Sequence, residues 1–567
     1  MILQLDTVQV DAKNHQTLEE LIRQAGLSAC SLAEKPLAAQ IGGDVFHLGY
    51  EPVRPNGQGE ETMRAAVRLA GGNIRLLRYR DTLGRRVYER SLLYVLILAV
   101  RNLFPAARVL VQYMLGPGLF IKLDKTPALS TADIALLKAE CLRLIAADLP
   151  LRRERLDIQD ATRAFAEDGQ VDKVRLLHYR EFSYYDIYRQ GDYLDYFYGE
   201  MTPGTGYLQV FDLAYQFPGM VMLLPERAEP DIVAPYRHSP KLAGVFAQSD
   251  TWGRLMQCAN VADLNDMVKS GEVRELVRIN EALHEKSYAE LADDIVRRNA
   301  RAILIAGPSS SGKTTSANRL YTHLRVHGKN PVMISLDDYY RNRDTVPYLE
   351  DGTQDLEHID TLDIPRFRED LAALIAGKRV EIPAFDFKEG RRKEHGHFLQ
   401  VGADEPLLIE GIHGLNPMLL SDAIPRESIY RVYVSALTTL NLDDHNRIRT
   451  TDIRLLRRMV RDYESRGASP ERTLSMWASV RRGEETWIFP YQEEADAFFN
   501  TALVYEIAVL KKHIFPILKE VSEESDYYAQ VQDLIKFLQY FADAYVEDEI
   551  PPTSILREFI GGSAFFR

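Results

Sequence analysis

Gly307, Gly312, Lys313 and Thr314 stand at the spacing G-x-x-x-x-G-K-[ST], with Pro308, Ser309, Ser310 and Ser311 between the glycines and Thr315 after them. This combination has a definite chemical use. Glycines let backbone N–H groups wrap a phosphate, and the N-terminus of a following helix adds positive potential. Lys313 is then placed to reach the outer phosphates, and the Thr314 hydroxyl to ligate Mg²⁺. The context fits, because Ile303 to Ala306 reads as a short buried strand and a helix opens at Lys313. The stretch implies binding of a nucleoside triphosphate.

Phosphoryl transfer also needs a metal site, an acceptor for the proton of the attacking hydroxyl, and cations for the developing charge. Pro331 to Leu336 is an apolar run ending in Asp337-Asp338-Tyr339-Tyr340, and Pro406 to Ile409 is another ending in Glu410. Ligands in open α/β sheets sit beyond the carboxyl ends of the strands, where these acids fall. Thr314 and Glu410 are the Mg²⁺ candidates, since Mg²⁺ takes oxygen ligands and few protein contacts. Asp337 is the candidate proton acceptor, with Asp338 as the alternative. Between Arg447 and Arg482 there are ten arginines, no lysine and four acids. Forked guanidinium groups suit phosphate or carboxylate, so this stretch reads as a lid over triphosphate and substrate.

The elements that must position these residues alternate strand and helix from Arg301 onward, which predicts a parallel sheet with covering helices. At 567 residues the chain should form several domains, and 46% hydrophobic with 27% charged residues describes a globular protein. A net charge of -13 argues against a general binder of nucleic acid or membrane surfaces. Three scattered cysteines form neither a disulfide framework nor a zinc pattern, no membrane span or leader is evident, and a cytoplasmic location is expected. Residues 1–90 read as a small α+β module, with strands at Ile2–Leu5 and Val8–Val10, a helix from Thr17 and a closing strand over Asp81–Tyr88. Residues 230–299 read as a helical connector and 300–567 as the phosphate-binding domain.

Gly307–Thr315, Ser335–Arg341, Pro383–Phe387, Ile409–Ile412 and Arg457–Gly467 together resemble the uridine kinase/phosphoribulokinase family. The front of the chain resembles threonyl-tRNA synthetase: residues 1–90 its ubiquitin-like TGS domain, and 91–229 its second, editing-type domain. The whole chain is similar to the longer bacterial nucleoside kinases that carry such front domains. The implied fold is α/β, a P-loop NTPase preceded by two α+β domains. The implied activity is transfer of the γ-phosphoryl group of ATP, with Mg²⁺, to a nucleoside hydroxyl. The resemblance makes Asp337 the general base and Arg466 a lid arginine on ATP. It places Tyr340, Phe385 and Phe387 around the nucleoside, Arg458 and Arg461 on substrate or phosphate, and Glu357 at a ribose-binding acid.

Departures matter as much as matches. Gly390 stands where a base-reading histidine is expected, and Ala468 where a second lid arginine is expected, so uridine specificity does not follow. Tyr94, Leu98, Phe197 and Met201 replace the four metal ligands of the editing-type domain, which is therefore expected to be scaffold, dimer surface or sensor. A sugar, polyol or pantothenate acceptor is the alternative within the fold. An RNA- or ribosome-associated regulatory NTPase is the alternative of another class. The expected partner is a small-molecule acceptor, without a membrane; any nucleic-acid contact falls to the front domains, and homo-oligomerisation stays open.

Overall fold

Burial on both faces explains the unbroken apolar strands of the C-terminal half. In the computed structural model, Val332–Ser335, Leu407–Glu410, Ala302–Ala306, Ile429–Ser435 and Ala497–Asn500 lie side by side in that order, all parallel. Alternate residues serve opposite layers. Ala302, Leu304, Leu407 and Ile409 pack with Phe367, Leu371 and Leu374 of helix Ile364–Ile375. Ile303, Ile305, Leu408 and Val432 pack on the other face with Leu320 of helix Lys313–Val326 and Tyr288 of helix Val273–Arg297. A parallel sheet sandwiched by helices is the P-loop NTPase arrangement. All residues are described except 54–62, 64, 65, 69, 181, 347, 349–353, 387, 388, 421–423 and 567.

At the front, a five-stranded mixed sheet runs Val8–Asp11, Ile2–Leu5, Asn73–Leu77, Ala38–Ile41, Asp44–Phe46, the ubiquitin-like order, with Ile2–Leu5 and Asn73–Leu77 parallel. Helix Leu18–Gln24 covers it, capped reciprocally by Thr17 and Glu20. The strand expected over Asp81–Tyr88 is instead the first part of a single helix, Thr82–Leu103. Gly84, which reads as a turn, is a close-approach residue: a Cβ there would lie 2.0 Å from the Arg78 carbonyl oxygen. Val87, Tyr88, Ser91 and Leu92 beyond it are buried with helical spacing.

This buried helix fills the second α+β body, between a four-stranded antiparallel sheet that includes Arg108–Leu115 and Gly118–Asp124 and a three-stranded one that includes Tyr184–Gln190. Tyr94, Leu98, Phe197 and Met201 are all buried in its core, and the Tyr94 and Phe197 rings meet edge to face at 6.1 Å. Among the described residues no cluster of metal-type ligands occurs, and no helix is long and apolar enough to cross a membrane.

One core ignores the order of the chain. Ala161, Phe165, Leu194 and Tyr196 share it with Leu440, Leu456, Leu510 and Ile555. Between the two halves, the buried Lys173 ammonium lies 3.1 Å from Asp195 and 3.5 Å from Asp443, and His445 Nδ1 lies 2.7 Å from Asp195.

Candidate functional site

The phosphate-binding stretch is shaped by tight backbone approaches. A Cβ on Gly307 would lie 1.9 Å from the Val434 carbonyl oxygen, so only glycine lets the strand end turn here. Gly312 has φ +86° and opens helix Lys313–Val326 against Ile555, whose Cγ2 would lie 2.9 Å from an added Cβ. Ser310 also adopts positive φ, at 57°. The hydroxyls of Ser310 and Ser311 are buried with no partner inside the protein. A concave loop with spare donors and an aligned helix N-terminus suits an anion. Lys313 donates to the Pro308 carbonyl at 3.2 Å, folded back over the loop.

Acids gather where the neighbouring strands end. Glu410 closes the Leu407–Glu410 strand and accepts from the Ser335 hydroxyl at 2.9 Å. Ser335 closes the adjacent strand and caps a short turn of helix, Leu336–Tyr339, that carries Asp337 and Asp338. Burial pushes Glu410 up to about 7, with Asp337 adding to the rise and Lys313 opposing it. Asp337 is raised by burial and by Asp338, against Lys313, Arg466 and Arg461. Burial, with Glu484 and Asp337, lifts Glu357 to about 7. Each acid feels Lys313. These carboxylates share the field of one ammonium, and Glu410, at a strand end beside Thr314's helix, offers the kind of oxygen that Mg²⁺ takes.

The arginine helix, Thr450–Arg466, lies against the loop. Arg454 grips Glu484 with both guanidinium ends and donates to the Ser309 carbonyl at 3.0 Å. Glu484 accepts the Ser309 backbone N–H at 3.1 Å, and Arg481 reaches the same carboxylate at 2.8 Å. Burial works against the Glu484 charge, but Arg454 and Arg481 hold its carboxyl below the usual range. Arg458 donates to the Ser309 hydroxyl at 3.0 Å and to Asp462 at 3.2 Å. Arg461 pairs with Asp462 at 2.9 Å, and the more exposed Arg466 lies 3.4 Å from it. Arg457 is buried against Glu506 and Thr501.

On the acceptor side, the Tyr340 and Phe385 rings lie 5.8 Å apart. Phe387 falls outside the described residues. Gly390 has φ +68°, and a Cβ there would lie 2.7 Å from Arg343 Cδ. A histidine at this position would be strained at this φ and would need the Arg343 side chain to move. Thr314 stands half-buried at the helix start, and its carbonyl accepts from Asn318 at 2.8 Å. The Thr315 hydroxyl donates to Glu558 at 2.6 Å, which ties the C-terminal segment to the loop.

Several contributors escaped sequence reading: Glu484, Glu558 and Thr501 (which donates to the Ser311 carbonyl at 2.7 Å). Only Glu484 left a signal. Gly483 sits inside helix Pro470–Trp487, and a Cβ there would lie 2.2 Å from Glu357 Cβ. A glycine within a helix marks a close approach.

Residues 302–508 match the Phosphoribulokinase / Uridine kinase family. The chain is 31% identical over 193 residues to a uridine kinase of Lactobacillus johnsonii, covering 34% of this chain and 82% of that protein. It belongs to the phosphoribulokinase/uridine kinase family. The chain is also 31% identical over 199 residues to a threonine–tRNA ligase of Symbiobacterium thermophilum, covering 35% of this chain and 28% of that enzyme. A second threonine–tRNA ligase, of Carboxydothermus hydrogenoformans, shares 31% over 143 residues, 25% of this chain and 23% of the enzyme. The chain thus spans about a quarter of the length of these ligases. Among solved structures, a D-glycerate 3-kinase of Cryptococcus neoformans superposes with a TM-score of 0.20 at 14% identity, covering 47% of this chain and 89% of that one. The family match spans the glycine-rich loop, both strand-end acids and the arginine helix.

Proposed function

We propose that the protein is a nucleoside kinase that transfers the γ-phosphoryl group of ATP to a nucleoside hydroxyl. What carries the reading is the convergence of Lys313, Asp337, Glu357 and Glu410 within one electrostatic neighbourhood beside the phosphate loop. Residues 307–315 would hold the triphosphate, with Arg466 and Arg458 on its outer side. Thr314 and Glu410 would hold Mg²⁺. Bound Mg-ATP supplies the phosphoryl group and a divalent charge that offsets its oxygens.

The protein's own part is positioning and proton handling. Asp337 takes the proton of the acceptor hydroxyl as that oxygen forms its bond to phosphorus and the bond to the ADP oxygen breaks. Burial and the neighbouring Asp338 raise its pKa, which strengthens it as a proton acceptor. Glu357 orients the sugar hydroxyls, and Tyr340 and Phe385 flank the base. Lys313 and Arg461 counter the charge of the transferring group. We read residues 1–229 as non-catalytic.

Purified protein given ATP, Mg²⁺ and separate nucleosides tests this by the appearance of a nucleoside monophosphate. Turnover confined to sugars, inositol or pantothenate would reject the nucleoside while keeping the kinase.

A further inference from the structure

The stretch that leads into the arginine helix is held by the front half of the chain. Asp444 shows this most fully. Its carboxylate accepts two bonds from the Arg108 guanidinium, at 2.5 and 2.8 Å. Its carbonyl accepts the Val111 N–H at 2.8 Å, and its own N–H donates to Asp172 at 2.9 Å. On either side, the Asn441 amide donates to the Val111 carbonyl at 2.7 Å and the Asn446 amide to the Tyr196 carbonyl at 2.9 Å. Arg447 pairs with Glu89 at 3.0 Å, both nearly buried. Asp452, in the first turn of helix Thr450–Arg466, lies 3.6 Å from Arg86. Arg86 and Glu89 share one face of helix Thr82–Leu103. The charges of Asp444, Arg447 and Asp452 are thus each met by an opposite one from the front half.

The same helix carries this grip to the phosphate loop, where Arg454 donates to the Ser309 carbonyl and Arg458 to the Ser309 hydroxyl, each at 3.0 Å. Each residue advances an α-helix by about 1.5 Å, so the placement of the first turn sets where those arginines stand. Ile453, Leu456 and Met459 hold the helix down in the apolar core, but such contacts are non-directional. A forked ion pair adds direction. Stability is not its main contribution, because the Arg108 side chain is 60% exposed and such pairs contribute little. We propose that Arg108 is a positioning residue for phosphoryl transfer: by fixing Asp444 it sets the entry of the arginine helix, and so the reach of Arg454 and Arg458 to the phosphate loop. The front half is then a working part of the kinase that touches no reacting atom. The inference rests on the kinase reading for what the loop holds, and not on the acceptor being a nucleoside.

The test compares wild type, Arg108→Glu and the double variant Arg108→Glu, Asp444→Arg. The readouts are ATP affinity by isothermal titration and kcat/KM for ATP, with uridine, cytidine, ribose or inositol as acceptor. Arg108→Glu sets two carboxylates face to face, and the displaced arginine helix should lower both constants about tenfold or more. The double variant, in which opposite charges meet again, should recover most of that loss. A structural role alone would lower the thermal midpoint of Arg108→Glu and leave its constants, measured below that midpoint, at wild-type values. That result overturns the proposal, as does a folded double variant no better than Arg108→Glu. If only ribose or inositol is phosphorylated, the nucleoside reading fails, and the same comparison on that acceptor still decides Arg108. With no acceptor turned over, ATP affinity decides it. Should the double variant not fold, hydrogen exchange on Arg108→Glu takes its place. Faster exchange across Thr450–Arg466, with the front strand Ile2–Leu5 unchanged, supports the coupling, and an unchanged helix overturns it.

Discussion

The charge of Lys313 lowers the cost of ionising Asp337, Glu357 and Glu410 alike. Its loss should therefore differ in kind from the loss of one acid. Lys313→Ala should weaken ATP binding and abolish transfer, because the outer phosphates lose their cation and the acids their counter-charge. Asp337→Asn should keep ATP binding and lower kcat by about 10²–10⁴-fold, the range for removing a general base. Isothermal titration with ATP beside steady-state rates separates the two, and near-normal turnover in Asp337→Asn would show that another group takes the proton. Glu357 gives a pH prediction. Folded, it holds its proton up to about 7, whereas the unfolded chain releases it in the ordinary glutamate range. Between those values the native state binds more protons, so stability falls as pH rises. Glu357→Gln should flatten the decline in thermal midpoint of the ligand-free protein between about pH 5 and pH 8. Glu410 will maintain a residual slope over the same range. An unaltered slope would mean that Glu357 titrates normally.

The helices Thr450–Arg466 and Pro470–Trp487 hold the loop through one buried pair, Arg454 and Glu484, both essentially inaccessible to solvent. Removing one partner strands the other charge, so Glu484→Ala should cost about 3–5 kcal/mol of stability. The double variant Arg454→Met, Glu484→Leu should recover much of that, because neither charge is left behind. Urea unfolding of both singles and the double measures the coupling, and strictly additive losses would exclude it. The same elements show what the sequence could disclose. The loop was legible because glycine spacing and a strand–helix context are local properties. The strand-end acids were legible because apolar runs ending in carboxylates mark the carboxyl edge of a buried sheet. The arginine run was visible, but its division was not. Arg454 and Arg457 meet acids 30 and 49 residues away, and only folding reveals that Arg457 braces the structure while Arg454 and Arg458 both reach Ser309. Helix Thr82–Leu103 was misread at its start for a related reason, since Gly84 answers a contact with Arg78 that no local pattern carries.

Across the whole molecule, the cores do not divide where the sequence suggests boundaries. Phe165, Leu194 and Tyr196 share one core with Leu456, Leu510 and Ile555, and the Tyr540 hydroxyl donates to the Tyr196 hydroxyl at 2.8 Å. Lys173 stands at this junction, fully buried against Asp195 and Asp443, which come from opposite halves of the chain. Its own burial disfavours the charge, but Asp195, Asp443 and Asp172 outweigh that and raise its pKa. Such an ion cluster contributes little net stability compared with an apolar substitute of equal volume, yet breaking one side of it is costly. Lys173→Met leaves at least two carboxylates desolvated together, which should weaken the docking of residues 1–229 on the kinase fold by about 3–5 kcal/mol. The wild type, with its shared core, should unfold in one calorimetric transition. The variant should show two, the earlier one accompanied by proteolytic cutting between residues 230 and 299. Because Lys173 lies outside the cleft, ATP affinity should survive at temperatures below that first transition. A single transition at the wild-type midpoint would mean that the apolar core alone joins the halves, and that the ion cluster is tolerated without holding them together.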